Sequence, residues 1–216
     1  MGMNNSRNFD LLTLGQVLLR LSPPDNERLS RGDTFVKQVG GAELNVAVGA
    51  ALLGLHTGVI SKLPAHDIGS FMKGKIRSFG VSDDFFMYDQ SSSARVGIYY
   101  YENGAYPRKP KVIYDRNNSS FFSLNIDEIP EEVYTASKCF HTTGITLALN
   151  EDIRETTIDM IKRFKAAGTL VSFDVNFRGN LWTGDEAREC ILRILPYVDI
   201  FFCSEDTARL TFLKTG

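Results

Sequence analysis

The residues that could do chemistry are few, and they are arranged around one stretch, Gly40-Gly41-Ala42-Glu43-Leu44-Asn45-Val46-Ala47. Paired glycines let the backbone bend and approach a ligand with no Cβ in the way. The small apolar residues that follow, closed by Gly54, spell a helix that is apolar nearly all round and so should be buried. Glu43 falls in its first turn, where a carboxylate suits the positive end of the helix dipole. Asn45 then lies inside the apolar run. A buried amide needs partners, so it either satisfies local backbone or points at a polar ligand just beyond the glycines.

Strand periodicity brings more side chains together. Alternation puts Tyr99 and Tyr101 on one face, and likewise Tyr114 and Arg116. Arg178 follows the carboxyl end of a core strand, where parallel sheets bind ligands. Tyrosine offers a ring as a wall and a hydroxyl at its edge. A guanidinium grips a carboxylate with two parallel hydrogen bonds, which lysine cannot do. Each residue also has a plainer reading. The tyrosines could be sheet packing, Tyr114 and Arg116 a stacked pair on a solvated strand, and Arg178 a surface ion pair. Arg108 and Lys109 read as solvated turn charges.

The totals set limits. A chain of 216 residues, 43% hydrophobic and 23% charged, is enough for one good-sized α/β domain, or a domain with a small appendage. A formal charge of -2 argues against nucleic acid as a bulk electrostatic partner, so an anionic ligand must be met by a local cluster of cations. No apolar run is long enough to span a membrane and no signal-peptide core is present. Cys139, Cys190 and Cys203 are far apart and form no Cys-x-x-Cys pair. They read as reduced, buried thiols of a cytoplasmic protein. His56, His66 and His141 have no metal-ligand spacing.

These residues must be positioned by an α/β framework. Core strands are expected at 9–15, 57–62, 138–143, 169–176 and 198–203, from apolar runs bounded by turn signals. Helices are expected at 68–79, at 151–167 with Asn150 as cap, at 184–195, and from Ser204 to Gly216. Alternation of strand and helix implies a mostly parallel sheet. Residues 16–22, 34–39 and the β-prone stretch 94–116, with its Asn103-Gly104 turn, read as a small sheet standing apart.

The pattern Gly-Gly, three residues, Asn, a residue, Ala, then Leu-Gly resembles the first signature of the ribokinase-like (pfkB-type) carbohydrate kinases. It is joined in order by Gly15-Gln16, Leu19-Arg20-Leu21-Ser22-Pro23-Pro24, Lys62-Leu63-Pro64, Arg95-Val96-Gly97-Ile98-Tyr99, Val112-Ile113-Tyr114-Asp115-Arg116, Thr143-Gly144-Ile145 and Asp174-Val175-Asn176-Phe177-Arg178. The set is similar to the 2-keto-3-deoxygluconate kinase branch. The resemblance implies a three-layer α/β/α domain with a β-sheet lid at about 16–39 and 93–117, often paired with the lid of a second subunit. It also implies ATP and Mg²⁺ as cofactors and a sugar acid as substrate. Residues 1–216 would then be the N-terminal portion of one such domain, the sequence ending where a helix should hand over to another strand. Within it, Arg116 and Arg178 would meet the anionic end of the substrate, Tyr99 and Tyr114 would wall the pocket, and Gly41 and Asn45 would meet hydroxyls. Asp10, near the start of the first strand, is a further candidate.

The phosphoryl-transfer machinery is sparser. A base and positive dipoles are needed at the transferred group, and the family supplies them from a Gly-Ala-Gly-Asp-like turn that these 216 residues do not contain. No catalytic residue is therefore assigned to this chain, and the resemblance implies a base beyond Gly216. The family's Asn-x-x-Glu element falls on Ser204-Glu205-Asp206-Thr207, which departs at both ends, leaving Ser204 and Glu205 as the cofactor-side candidates. The expectation is a sugar-acid kinase. The alternatives are a non-catalytic sugar-binding remnant and a kinase of fructose or another sugar.

Overall fold

The computed structural model describes residues 7–213. Two sheets organise it. The larger is seven-stranded and wholly parallel. Its centre is β1 (Phe9–Leu14), flanked by β4 (Thr57–Pro64) on one side and β9 (Ser137–Thr143) on the other. Beyond β4 lie β5 (Val81–Ser82) and β6 (Phe86–Asp89). Beyond β9 lie β10 (Leu170–Asp174) and β11 (Ile200–Phe202). The smaller sheet has four strands in the order β3 (Val36–Gly40), β2 (Leu18–Ser22), β7 (Gly97–Glu102), β8 (Lys111–Asp115).

Helices cover both faces of the large sheet, and alternation along β4 shows how. Val59 points into a cluster with Leu44 and Ala47 of α1 (Ala42–Leu52) and Met72 and Ile76 of α2 (Asp67–Arg77). Its neighbour Ile60 points into the other cluster, with Phe140, Val171 and Phe173 of the strands. There they meet Ile153, Ile161 and Phe164 of α4 (Glu151–Ala166) and Ile191 of α5 (Gly184–Ile194). The Asn150 side chain caps α4 as expected, accepting from Ile153 N at 2.8 Å. No helix among the described residues is long and apolar enough to cross a membrane.

The last described helix is α6 (Glu205–Phe212), followed by Leu213 in the left-handed region with φ 53°. The helix expected to run to Gly216 therefore stops earlier, since a residue in that conformation cannot continue it. Gly216 itself, the residue beyond which the base is expected, lies outside the described residues together with Lys214 and Thr215.

Four further expectations are corrected. Helix α1 is not buried all round. It lays Leu44 and Ala47 against β1 and β4, while Asn45, Val46, Leu52 and Leu53 are exposed, because no other described element covers its outer face. The strand expected at 198–203 is the short edge strand β11, and Ile200, Phe201 and Phe202 are exposed there. Cys190 is buried and Cys139 half-buried, but Cys203 at the end of β11 is exposed. Arg108 is not merely solvated. It pairs with the buried carboxylate of Glu102 at 3.2 Å. Helix α3 (Gly144–Leu147) and three 3₁₀ turns between 120 and 135 have no counterpart among the expected elements, being too short to show a period.

The core should therefore respond unequally to truncation. Phe140 is fully buried and stacks on Phe164 with ring centroids 4.1 Å apart. Phe140→Ala is expected to cost about 3–5 kcal/mol in urea denaturation. Leu53→Ala, at the exposed C-cap of α1, should stay within about 0.5 kcal/mol. Equal effects would refute this distribution of burial.

Candidate functional site

At the carboxyl end of β1 the chain passes through Gly15 and Gln16 into β2 and the small sheet, and Gln16 is 3% exposed. Its side-chain amide works at both ends. Nε2 donates to the carbonyl of Arg116 at 3.1 Å and to Ser119 Oγ at 2.7 Å, while Oε1 accepts from Arg116 Nε at 2.8 Å. A donor on one side and an acceptor on the other fix the amide's orientation. Through it the end of β8 is held against the end of β1. Gly97 stands beside this clamp, and a Cβ there would press on Gln16 Nε2 and Leu18.

Helix α1 begins at the same place. Gly41 is its N-cap with φ 148°, and a Cβ would come 2.8 Å from the carbonyl of Gln16, so the position needs glycine twice over. In the first turn, Glu43 is 2% exposed, and its Oε1 accepts from Thr143 Oγ1 at 2.6 Å and from Thr146 Oγ1 at 2.7 Å. Thr143 also caps α3, accepting from Ile145 N at 3.1 Å. Glu43 thus joins the start of α1 to the start of α3. Burial raises its pKa. The two hydroxyls, its own backbone and the charge of Arg116 pull the other way. Burial in turn lowers the pKa of Arg116, opposed by Glu43. A side chain at Gly15 would collide with this carboxylate.

These elements enclose a pocket of about 380 Å³ between the sheets, lined by Gly41, Glu43, Asn45, Tyr99, Tyr101, Tyr114, Arg116 and Arg178 together with Gln16, Leu18 and Arg20. Tyr99 and Tyr114 lie with centroids 5.9 Å apart, and the Tyr99 hydroxyl rests where a Cβ of Gly40 would be. Arg116 sits over the Tyr114 ring at 5.7 Å. A larger groove of about 510 Å³ runs along α4, but Asp152, Glu155 and Asp159 line it, the wrong sign for an acid.

Six of the expected residues, Gly41, Asn45, Tyr99, Tyr114, Arg116 and Arg178, share this pocket. Asn45 is exposed toward it, not a buried amide. Asp10 is elsewhere. It lies at the amino end of β1, away from the pocket, bound to Lys138 Nζ at 2.7 Å and to His56 N at 2.9 Å. Ser204 and Glu205 lie past β11. Ser204 caps α6 by accepting from Thr207 N, and Glu205 pairs with Arg209. Gln16, Arg20 and the buried role of Glu43 are additions that the structure makes to the expected set. The position of Gln16 just past a core strand, and of Arg20 two residues from Leu18 on one strand face, are the signals that could have found them.

The Glu43 carboxyl has a pKa raised above its ordinary 4.5, so it contributes stability below that value which is lost as pH rises through the raised one. Glu43→Gln keeps an acceptor for both threonines and should abolish this part of the pH slope in denaturation experiments. An unchanged slope would remove Glu43 as its source. Gln16→Leu leaves the Arg116 carbonyl, Arg116 Nε and Ser119 without this partner, and should cost about 1–3 kcal/mol by the same measurement.

Comparison with known proteins identifies relatives of the chain and of its fold. Residues 8–215 match the model of the pfkB family carbohydrate kinases. The chain is 36% identical over 207 residues to the 2-dehydro-3-deoxygalactonokinase of Haloferax volcanii, covering 96% of this chain and 64% of that protein. It is 30% identical over 174 residues to the 2-dehydro-3-deoxygluconokinase of Bacillus subtilis, covering 81% and 53%. The crystal structure of the 2-dehydro-3-deoxygluconokinase of Thermotoga maritima superposes with a TM-score of 0.90 at 34% identity, over 96% of this chain and 63% of that one. The chain thus spans less than two thirds of the length of these relatives. With its parallel sheet, its separate small sheet and the Gly-Gly helix start between them, the chain belongs to the pfkB family of carbohydrate kinases.

Proposed function

We propose that this chain forms the substrate-binding part of an ATP-dependent kinase acting on a 2-keto-3-deoxy sugar acid, of the gluconate or galactonate type. The observation that carries the reading is the presence of Arg116 and Arg178 on one pocket whose walls are Tyr99 and Tyr114. The names of the Haloferax and Bacillus relatives support the substrate class.

In this reading the substrate carboxylate lies against the guanidiniums, which match it with paired hydrogen bonds. Asn45, the backbone at Gly41 and the Tyr99 hydroxyl meet keto and hydroxyl oxygens. The small sheet serves as the lid, and pairing with the lid of a second copy belongs to the same proposal. ATP supplies the phosphoryl group. The terminal hydroxyl needs a base to accept its proton. Glu43 is the carboxylate lining the pocket, but one of its oxygens is taken by two threonine hydroxyls, so its place is structural. The base is assigned instead to sequence following Gly216 in the whole protein. For Mg²⁺, the carboxylates of Glu205 and Asp206 are both turned to Arg209 at 3.4 and 3.3 Å. Among the described residues no three His, Cys, Asp or Glu side chains gather to hold a metal ion.

Titration calorimetry of the 216-residue chain with 2-keto-3-deoxygluconate, 2-keto-3-deoxygalactonate and fructose tests the proposal. The sugar acids are expected to bind more tightly than fructose, and Arg116→Ala to weaken them about 10- to 100-fold, the loss of charge-assisted hydrogen bonds. A preference for fructose, or affinity unchanged in the variant, would overturn it.

A further inference from the structure

Arg20 lies on β2 opposite Tyr99 of β7, and Tyr99 lies opposite Tyr114 of β8. The three form one row across the pocket-facing side of the small sheet. Leu18, Gly97 and Arg116 make the row beneath, nearer the large sheet. Arg20 is half-buried, and its head group is held without being neutralised. It sits over the Tyr101 ring at 4.3 Å, and its Nε donates to Ser22 Oγ at 2.9 Å. Other arginines beside the small sheet are paired, Arg95 with Asp115 at 2.9 Å and Arg108 with Glu102 at 3.2 Å. Among the described residues no ion pair uses Arg20, Arg116 or Arg178.

The pocket therefore has guanidiniums in two places. Arg116 stands in the inner row, with Glu43 near enough to act on its charge. Arg20 stands one row outward, two strands across. Two residues of strand advance about 6–7 Å, so the two side chains enter the pocket from different rows. A six-carbon acid is long enough to place its carboxylate at one and the hydroxyls of its carbon chain at the other. Held over an aromatic ring and tied at Nε to Ser22, the Arg20 fork offers its remaining donors from a fixed place, which suits oxygens of defined stereochemistry.

We propose that Arg20 is a substrate-binding residue that reads the secondary hydroxyls of the sugar acid and so sets the preference between its gluco and galacto forms, which differ in configuration at one hydroxyl-bearing carbon. This rests on the sugar-acid reading of the pocket. Arg20 acts apart from Arg116, which meets the carboxylate common to both epimers.

The test is titration of both epimers into the wild-type chain and the variants Arg20→Met, Arg20→Lys and Arg116→Ala, each checked for fold by circular dichroism. Arg20→Met should weaken the preferred epimer about tenfold and bring the affinity ratio of the two epimers toward one. Arg20→Lys, which keeps the charge over Tyr101 but loses the fork, should shift the ratio in the same direction. Arg116→Ala should weaken both epimers alike. Unchanged affinity in the Arg20 variants, or equal loss for both epimers, overturns the role of Arg20. Failure of the wild-type chain to bind either epimer overturns the sugar-acid reading instead.

Discussion

A carboxylate buried between two helix starts has to be satisfied, and much of this structure follows from how Glu43 is satisfied. Removing a charge from water without partners is costly. Glu43 has two threonine hydroxyls on one oxygen, its own helix start behind it, and the Arg116 charge nearby. Each partner imposes a condition. Thr143 and Thr146 must come from a turn docked on α1, so α3 begins where it does. Residue 15 must lack a side chain. Arg116 must be brought in, and Gln16 brings it. The result is two hydrogen-bonded groups, Thr143 and Thr146 on Glu43, and Arg116 with Ser119 on Gln16, coupled only by the Glu43 charge acting on Arg116. Together they cross from the large sheet to the small one at the place where the pocket forms.

The small sheet serves this arrangement by sorting its two faces. Leu19, Leu21, Val39 and Ile98 turn toward Phe71 and Met72 of α2 and anchor the sheet to the body of the protein. The alternate residues Leu18, Arg20, Tyr99, Tyr101, Val112 and Tyr114 turn to the pocket. A slip of one residue in any strand would exchange anchoring and binding faces. Apolar burial on one side thus fixes which polar side chains appear on the other.

That alternation was legible in the sequence, and so were the caps and the core strands other than the one expected at 198–203, which is the exposed edge strand β11. The shared faces of Tyr99 with Tyr101 and of Tyr114 with Arg116 follow from a period of two alone. What failed was whatever depended on distant chain. An apolar helix shows that burial is available, not what supplies it, so α1 reads as enclosed while one side of it is open. Asp10 is on the right strand but at the wrong end of it, because its position along β1 decides whether it meets the ligand side. Glu43 looked like a helix-dipole residue, since its real partners lie 100 and 103 positions away. Gln16 finds Ser119 across the same kind of gap, 103 positions. Pairings at such separations leave no local pattern to read.

The electrostatics of the pocket also explain why its arginines are held by different means. Guanidiniums gathered round one cavity repel one another, the more so where water is scarce. Pairing each with a carboxylate would remove the repulsion and with it the positive charge of the pocket. Arg116 is instead held by a neutral amide and an aromatic ring, with Glu43 acting at a distance. Arg20 is held by a ring and a hydroxyl. Rings and neutral acceptors fix direction while leaving the charge in place. Arginine does not titrate in the ordinary range, so the one group able to change the pocket's charge there is Glu43, with its pKa raised by burial. Protonated, it would leave the pocket more positive; ionised, it offsets one guanidinium. The same carboxylate that ties the helices together therefore also bears on the charge of the pocket.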